Sequence, residues 1–367
     1  MSADKQYTFQ PDYTIHPGEI LGETLQTRAI SQSELASRCG LSEKHVSQII
    51  NGRASITSDT ALVFEQVLGV RATLWMNLES NHRLQLARRN VQDRLASYGE
   101  WASRFPIQAL TSLGWISKQS SEADRAQALL QFFGVASPDA WEKQYEKLAV
   151  AYRKSQAFQS SIESVSSWLR IGMLQAAKTS TETFDKSRFH RALGEIRCLT
   201  QLPVCEFEPR IKQLCSESGV VLVFVPELPK IRLSGATRWI SSDKALIMQS
   251  LRHRKDDHFW FTFFHEAAHV LFHGKRAVFI DEELMEDSEE ERKADAFAAN
   301  YLIPSKSYAS LIRSGHPSKA AVVAFAKNQG IAPGIVVGRL QHDEVIPFSW
   351  FNDLKRTFVF AEENEDY

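Results

Sequence analysis

Cysteine is scarce in this chain. Four residues of 367, Cys39, Cys198, Cys205 and Cys215, stand at irregular spacings without a CxxC pair. That excludes a disulfide framework and a thiolate zinc site, and leaves the cysteines to pack as small hydrophobes. Net charge is almost absent as well: 43 Lys+Arg face 44 Asp+Glu, a formal −1, which excludes a protein that coats nucleic acid by bulk positive charge. No apolar run approaches a membrane span, the longest lying around Val220–Val225. The opening MSADKQYTFQ has no basic stretch followed by an apolar one, so no secretory signal is expected. Repeats of fixed period are missing too. These absences predict a soluble protein of a reducing compartment, the cytoplasm, with no membrane partner.

What is present is ordinary globular composition, 43% hydrophobic and 24% charged, at a length that predicts two or three domains. Residues 14–90 read as short helices with sharp stop signals. Helical periodicity continues over 95–200, anchored by Trp101, Trp115, Trp141, Tyr152 and Trp168. Near 200 the texture changes. GVVLVFVPEL (219–228) has the β-branched density of a buried strand, and Lys244–Gln249 reads as a second. A helix is expected around 257–273, another ending before Pro304, and more helix over 318–341. The fold class expected is therefore mainly α with a small α+β domain. Its parts are an N-terminal helix-turn-helix over 1–92, a helical connector over 93–200 and a C-terminal domain with a small β-sheet over 201–367.

The helix-turn-helix reading rests on caps. Ser31 and Glu34 have capping-box spacing, Gly40 ends that helix after about two turns, and Ser42 caps a second short helix that Asn51 and Gly52 terminate. Val46, Ile49 and Ile50 face inward. Outward fall Glu43, Lys44, His45, Ser47 and Gln48, then Asn51 and Arg53, hydrogen-bonding and basic groups of the kinds that reach base edges and phosphates in a major groove. Local charge does not decide, because the basic residues of 14–90 are nearly balanced by acidic ones. Resemblance adds more. HPGEIL at 16–21, SQSELASRCGLS at 31–42, VSQIINGR at 46–53, ITSDTAL at 56–62 and LWMNLE at 74–79 resemble the HigA-like antitoxin branch of the Cro-type helix-turn-helix family. That likeness implies a homodimer bound to a pseudo-palindromic operator, with Gln32, Lys44, Ser47, Gln48 and Asn51 at the DNA.

The sharpest chemical signal is HEAAH at 265–269, an HExxH expected by chance in only about 2% of chains this long. Its flanks are apolar round most of the helix. At about 100° per residue, His258, Thr262, His265, Glu266, His269 and His273 share one sector. A solvent-facing stripe would favour Lys, Glu and Gln over imidazoles. Residues four apart can both reach one zinc ion, and Glu266 is turned about 100° aside, beside the metal rather than on it. A third ligand is needed. Within the acidic run 281–291, Glu291 stands out because Asp295 follows one turn later and can accept a hydrogen bond from a ligand histidine. Ser288 and Glu291 also have capping-box spacing, which competes for Glu291 and leaves Glu290 as the fallback. His258, His273 and Arg238 are candidate oxyanion donors.

HEAAHVLFHG followed by EERKADAFAANYLIP (290–304) resembles the ImmA/IrrE family of gluzincin-like metallopeptidases, with ATRWISSDKALI (236–247) and GIAPGIVVGRLQ (330–341) in support. Lys293 departs from the glutamate common there. By position, the resemblance implies a zincin-like domain in which His265, His269 and Glu291 bind Zn2+, Glu266 is the general base and Asp295 supports a histidine. Two functions compete. One is a repressor fused to a zinc endopeptidase that cleaves a protein substrate or itself. The other is an antitoxin and autorepressor that holds a toxin or ligand without turnover.

Overall fold

The computed structural model describes residues 15–145, 161–272, 278–280, 289–313 and 315–360. The chain groups into two compact units, Met1–Gly99 with Ser121–Ala126, and Glu100–Ser120 with Gln127–Tyr367. The sequence divides the chain at 92 and at 200, whereas the described residues of 127–200 group with the C-terminal domain. Mostly helical, the described residues form a small sheet in the C-terminal region.

In the first unit, α1 (Pro17–Thr27), α2 (Gln32–Cys39), α3 (Glu43–Ile50), α4 (Ser58–Leu68) and α5 (Ala72–Ala96) enclose Leu21, Leu35, Val46, Ile49, Phe64 and Trp75. Ser31 Oγ accepts from the Glu34 amide at 3.1 Å and Ser42 Oγ from the His45 amide at 3.2 Å, so both expected N-caps form. The reciprocal half of the first capping box does not. Glu34 turns instead to Arg38 one turn on, a charged partner that outcompetes a backbone amide. Gly40 sits at φ 64°, the left-handed region where a Cβ would be strained, and this lets the chain reverse between α2 and α3. Helix α5 buries only Trp75, Glu79 and Leu95.

Next along the chain, α6 (Gly99–Ser103), α7 (Ile107–Ser112) and α8 (Glu122–Phe133) precede α9 (Ile162–Ala177), α10 (Lys186–Leu199) and α11 (Val204–Ser216). Trp101, Trp141 and Trp168 are buried, Trp115 is half-buried, and Tyr152 lies outside the described residues. Cys215 is buried and Cys39 packs partly buried against the first core, both thiol pKa values pushed up by burial. Cys198 and Cys205 are exposed because they fall off the apolar stripes of α10 and α11, which run through Phe189, Leu193 and Ile196 and through Phe207, Ile211 and Leu214.

The sheet has order β1-β3-β2-β4, with β1 Val220–Phe224, β2 Gly235–Ser241, β3 Lys244–Gln249 and β4 Val278–Ile280. β1 runs parallel to β3, while β2 is antiparallel to both β3 and β4. Helix α9 covers one face so closely that a Cβ on Gly172 would lie 2.2 Å from Met248 Cε. Helix α12 (Asp256–Phe272) covers the other. Against α12 pack α13 (Glu289–Leu302) and α16 (Pro333–His342), which follows α14 (Ser305–Ile312) and α15 (Lys319–Gln329). Two ion pairs tie the C-terminal segment to the start of α12: Lys355 to Asp257 at 2.6 Å, both buried, and Arg356 to the fully buried Asp256 at 3.1 Å. Arg197 gathers the ends of α13 and α15, donating to the carbonyls of Tyr301 (2.9 Å), Leu302 (2.8 Å) and Gln329 (2.9 Å). Among the described residues, no single helix is long and apolar enough to cross a membrane.

Candidate metal centre and recognition helix

Phenylalanines and Trp260 on α12 sink into the core beneath the sheet, so the polar stripe of the same helix faces protein. His265, Glu266 and His269 are 4, 0 and 1% exposed. His258 is exposed and stacks on His253, ring centroids 4.1 Å apart, two turns before the pair of histidines. His273 and Ser288 lie outside the described residues.

Helix α13 brings Glu291 to the two imidazoles. Its Oε2 lies 3.1 Å from His265 Nε2 and 3.4 Å from His269 Nε2, and the two Nε2 atoms are 2.9 Å apart. Four-coordinate zinc with ligand bonds of about 2.0–2.1 Å spaces its donors by about 3.3 Å, so these separations suit one shared ion. Two imidazole nitrogens and a carboxylate oxygen are also the donor set of a metal site with a vacant fourth position. Asp295 Oδ1 lies 2.8 Å from His265 Nδ1, a pairing that would keep a proton on Nδ1 and leave Nε2 to ligate when a metal is bound. Burial alone would raise the Glu291 carboxyl pKa, but hydrogen bonds from His265 and His269, and their charge, hold it down at about 2. Glu290 is exposed and outside the cluster.

Glu266, the next residue along, meets strand β2. Thr237 Oγ1 lies 2.5 Å from its Oε2 and 3.1 Å from its carbonyl. Gly235, on the same face of β2, leaves the carboxylate its space: a Cβ there would lie 2.5 Å from Glu266 Oε1. The sequence reading missed both residues. Their signal was the alternation of ATRWI, whose period of two puts Gly235 and Thr237 on one face. The same alternation sends Arg238 to the opposite face, where Nη1 reaches Met173 Sδ at 3.2 Å, so it is no oxyanion donor for this centre.

On the first unit, α3 holds Val46 and Ile49 in the core and leaves Lys44 exposed, with His45, Ser47 and Gln48 half-buried. Gln32 at the start of α2 is exposed, as are Asn51 and Arg53 beyond α3. Asn51 Nδ2 donates to the Ser47 carbonyl at 2.8 Å, folding this side chain back over the helix end.

Residues 23–75 match the helix-turn-helix family model, and residues 221–325 match the IrrE N-terminal-like domain model. Virulence-associated protein I of Dichelobacter nodosus is 34% identical over 79 residues, 21% of this chain and 73% of that protein. The chain belongs to the helix-turn-helix family and carries an IrrE-like domain. Its helix-turn-helix segment is also similar to the uncharacterized HTH-type transcriptional regulator YddM of Escherichia coli (strain K12), 28% identical over 20% of this chain and 80% of that one. Among solved structures, an addiction module antidote protein of the HigA family from Coxiella burnetii is 34% identical, over 22% of this chain and 90% of that one, at a TM-score of 0.22. The IrrE-like segment contains the HExxH helix and Glu291 together.

Proposed function

We propose that this chain is a DNA-binding transcriptional regulator whose C-terminal domain is a zinc-dependent endopeptidase, cutting a protein partner or the chain itself to control repression. The observation that carries the enzymatic half is the convergence of His265, His269 and Glu291 on one point with Glu266 on the adjoining turn. Zinc, when bound, supplies Lewis acidity to a water and to the scissile carbonyl. His265 Nε2, His269 Nε2 and Glu291 Oε2 hold it, and Asp295 keeps His265 in the ligating tautomer. Glu266 takes the proton of the attacking water and returns it to the departing amine. Thr237 and Gly235 hold that carboxylate between α12 and β2, and burial of His265, Glu266 and His269 limits competing bulk water.

The test is Glu266→Gln. This variant keeps the metal donors, so purified protein should retain one zinc per chain by elemental analysis. Derepression in cells, and cleavage of any co-expressed partner, should fall by at least about a hundredfold. Undiminished derepression would instead favour an antitoxin that works by binding alone.

For the DNA half, the helix-turn-helix match and the outward set Gln32, Lys44, His45, Ser47, Gln48, Asn51 and Arg53 support operator recognition by α3. Leu62, Leu74, Leu84 and Leu86 on α4 and α5 are exposed large apolar residues, which supports a homodimer formed through these helices. A pseudo-palindromic operator with half-sites about 34 Å apart should bind two chains per duplex in sedimentation.

A further inference from the structure

Arg238 has no place at the metal centre, but on its own face of the sheet it meets a second arginine. Its Nη1 lies 3.2 Å from Met173 Sδ on α9, and Arg170 stands one turn earlier on the same helix. Arg170 Nε donates to the Phe132 carbonyl at 2.7 Å, and its Nη2 lies 3.3 Å from where a Cβ on Gly134 would sit. Phe133, between those two residues, packs its ring on Tyr145 with centroids 5.8 Å apart. The end of α8 thus brings a phenol to the arginine pair, and all of these residues belong to the second unit.

Hydrogen-bond donors collect here without acceptors to match. Both guanidiniums are half-buried and permanently charged, and among the described residues neither pairs with a carboxylate. The thioether that Arg238 touches is a weak acceptor. Glu163, two turns before Arg170 on α9, is taken up by Arg104 and Ser161. Tyr145 is 6% exposed, and its hydroxyl has no hydrogen-bond partner. Burial raises the pKa of that hydroxyl while the charges of Arg170 and Arg238 oppose the shift, so at neutral pH it is a protonated donor within reach of both fields. Two like charges and a buried hydroxyl left this way cost stability, and an anion among them removes the cost.

We propose that Arg170, Arg238 and Tyr145 form a binding site for a phosphate dianion, either free or as the head of a phosphate monoester. Guanidinium forks present paired N–H donors that suit phosphate oxygens, their two charges match the dianion, and the phenol adds a third donor. A carboxylate brings one charge and leaves one cation unmatched. Because successive strand residues face opposite sides, Arg238 points away from the side on which Thr237 meets Glu266. The site is therefore separate from the metal centre and does not depend on the endopeptidase reading.

Full-length protein is titrated calorimetrically at pH 8, where phosphate is dianionic, at an ionic strength held constant with sodium chloride. The titrants are inorganic phosphate, phenyl phosphate and acetate. Phosphate should bind saturably, at least about tenfold more tightly than acetate, and should raise the melting temperature of the wild type. Arg238→Gln should weaken phosphate about tenfold or more, and Tyr145→Phe about threefold or more. Without phosphate, Arg238→Gln should melt no lower than the wild type, since the cation it removes has no counter-ion. If that variant does not fold, the near-isosteric Tyr145→Phe carries the test alone. Equal affinity for the two phosphates assigns the free ion, and tighter phenyl phosphate assigns an ester. Absence of saturable phosphate binding overturns the site, as does acetate binding as tightly as phosphate. Phosphate affinity unchanged in both variants places the ion elsewhere on the chain and overturns it too.

Discussion

Thr237 shows what a single hydroxyl does at this centre. It lies in hydrogen-bond reach of a fully buried glutamate, whose other oxygen would be 2.5 Å from any Cβ added at Gly235. Thr237→Val keeps the shape and removes the donor, so the buried carboxylate loses a partner. The expected cost is about 1.5–3 kcal/mol, read from the denaturant midpoint, with Thr237→Ser close to wild type. For the proposed operator-reading residues, the two kinds should separate cleanly. Gln48→Ala should cost about 1–3 kcal/mol and relax preference at one base position, whereas Lys44→Ala should weaken binding to all sequences and lower the salt slope by about 1. Quantitative binding to operator variants at several salt concentrations distinguishes these outcomes.

Elements differ in how much of themselves the sequence discloses. β1 and β3 are legible because their residues are β-branched or aliphatic on both faces, as strands covered by helices must be. β2 is not, because its metal-side face carries glycine and threonine, small groups chosen to meet a carboxylate and not a core, and β4 is only three residues long. The HExxH helix is legible in type and extent. That its polar stripe turns inward follows only from the packing of α13 and β2 on either side. Glu291 was one of several acidic residues in its run, and only the third dimension brings it, and not Glu290, against the histidines. The ends of α12 carry a further consequence. Asp256 is fully buried, burial pushes its carboxyl pKa up, and Arg356 opposes that shift. Arg356→Ala leaves the acid buried without its cation, and should lower stability by about 3–5 kcal/mol in urea unfolding.

At the scale of the whole chain, the candidate metal donors all belong to one compact unit and the outward residues of α2 and α3 to the other. Zinc bound to the folded state alone should stabilise it by about 2.7 kcal/mol at a hundred times its dissociation constant. The melting temperature of the C-terminal transition should therefore rise with added zinc and fall with chelator. Operator affinity measured over the same titration should stay constant, since no DNA-facing side chain contributes a donor. A parallel loss of both would mean that the metal acts on recognition directly and not through cleavage.

The guanidinium of Arg197 makes α13 a lever. It pins the helix at Tyr301 and Leu302, while Glu291 stands near the other end, about 16 Å away along the axis. For a cation held as proposed, a tilt of about 4° around that end would shift the Glu291 carboxylate by roughly 1 Å.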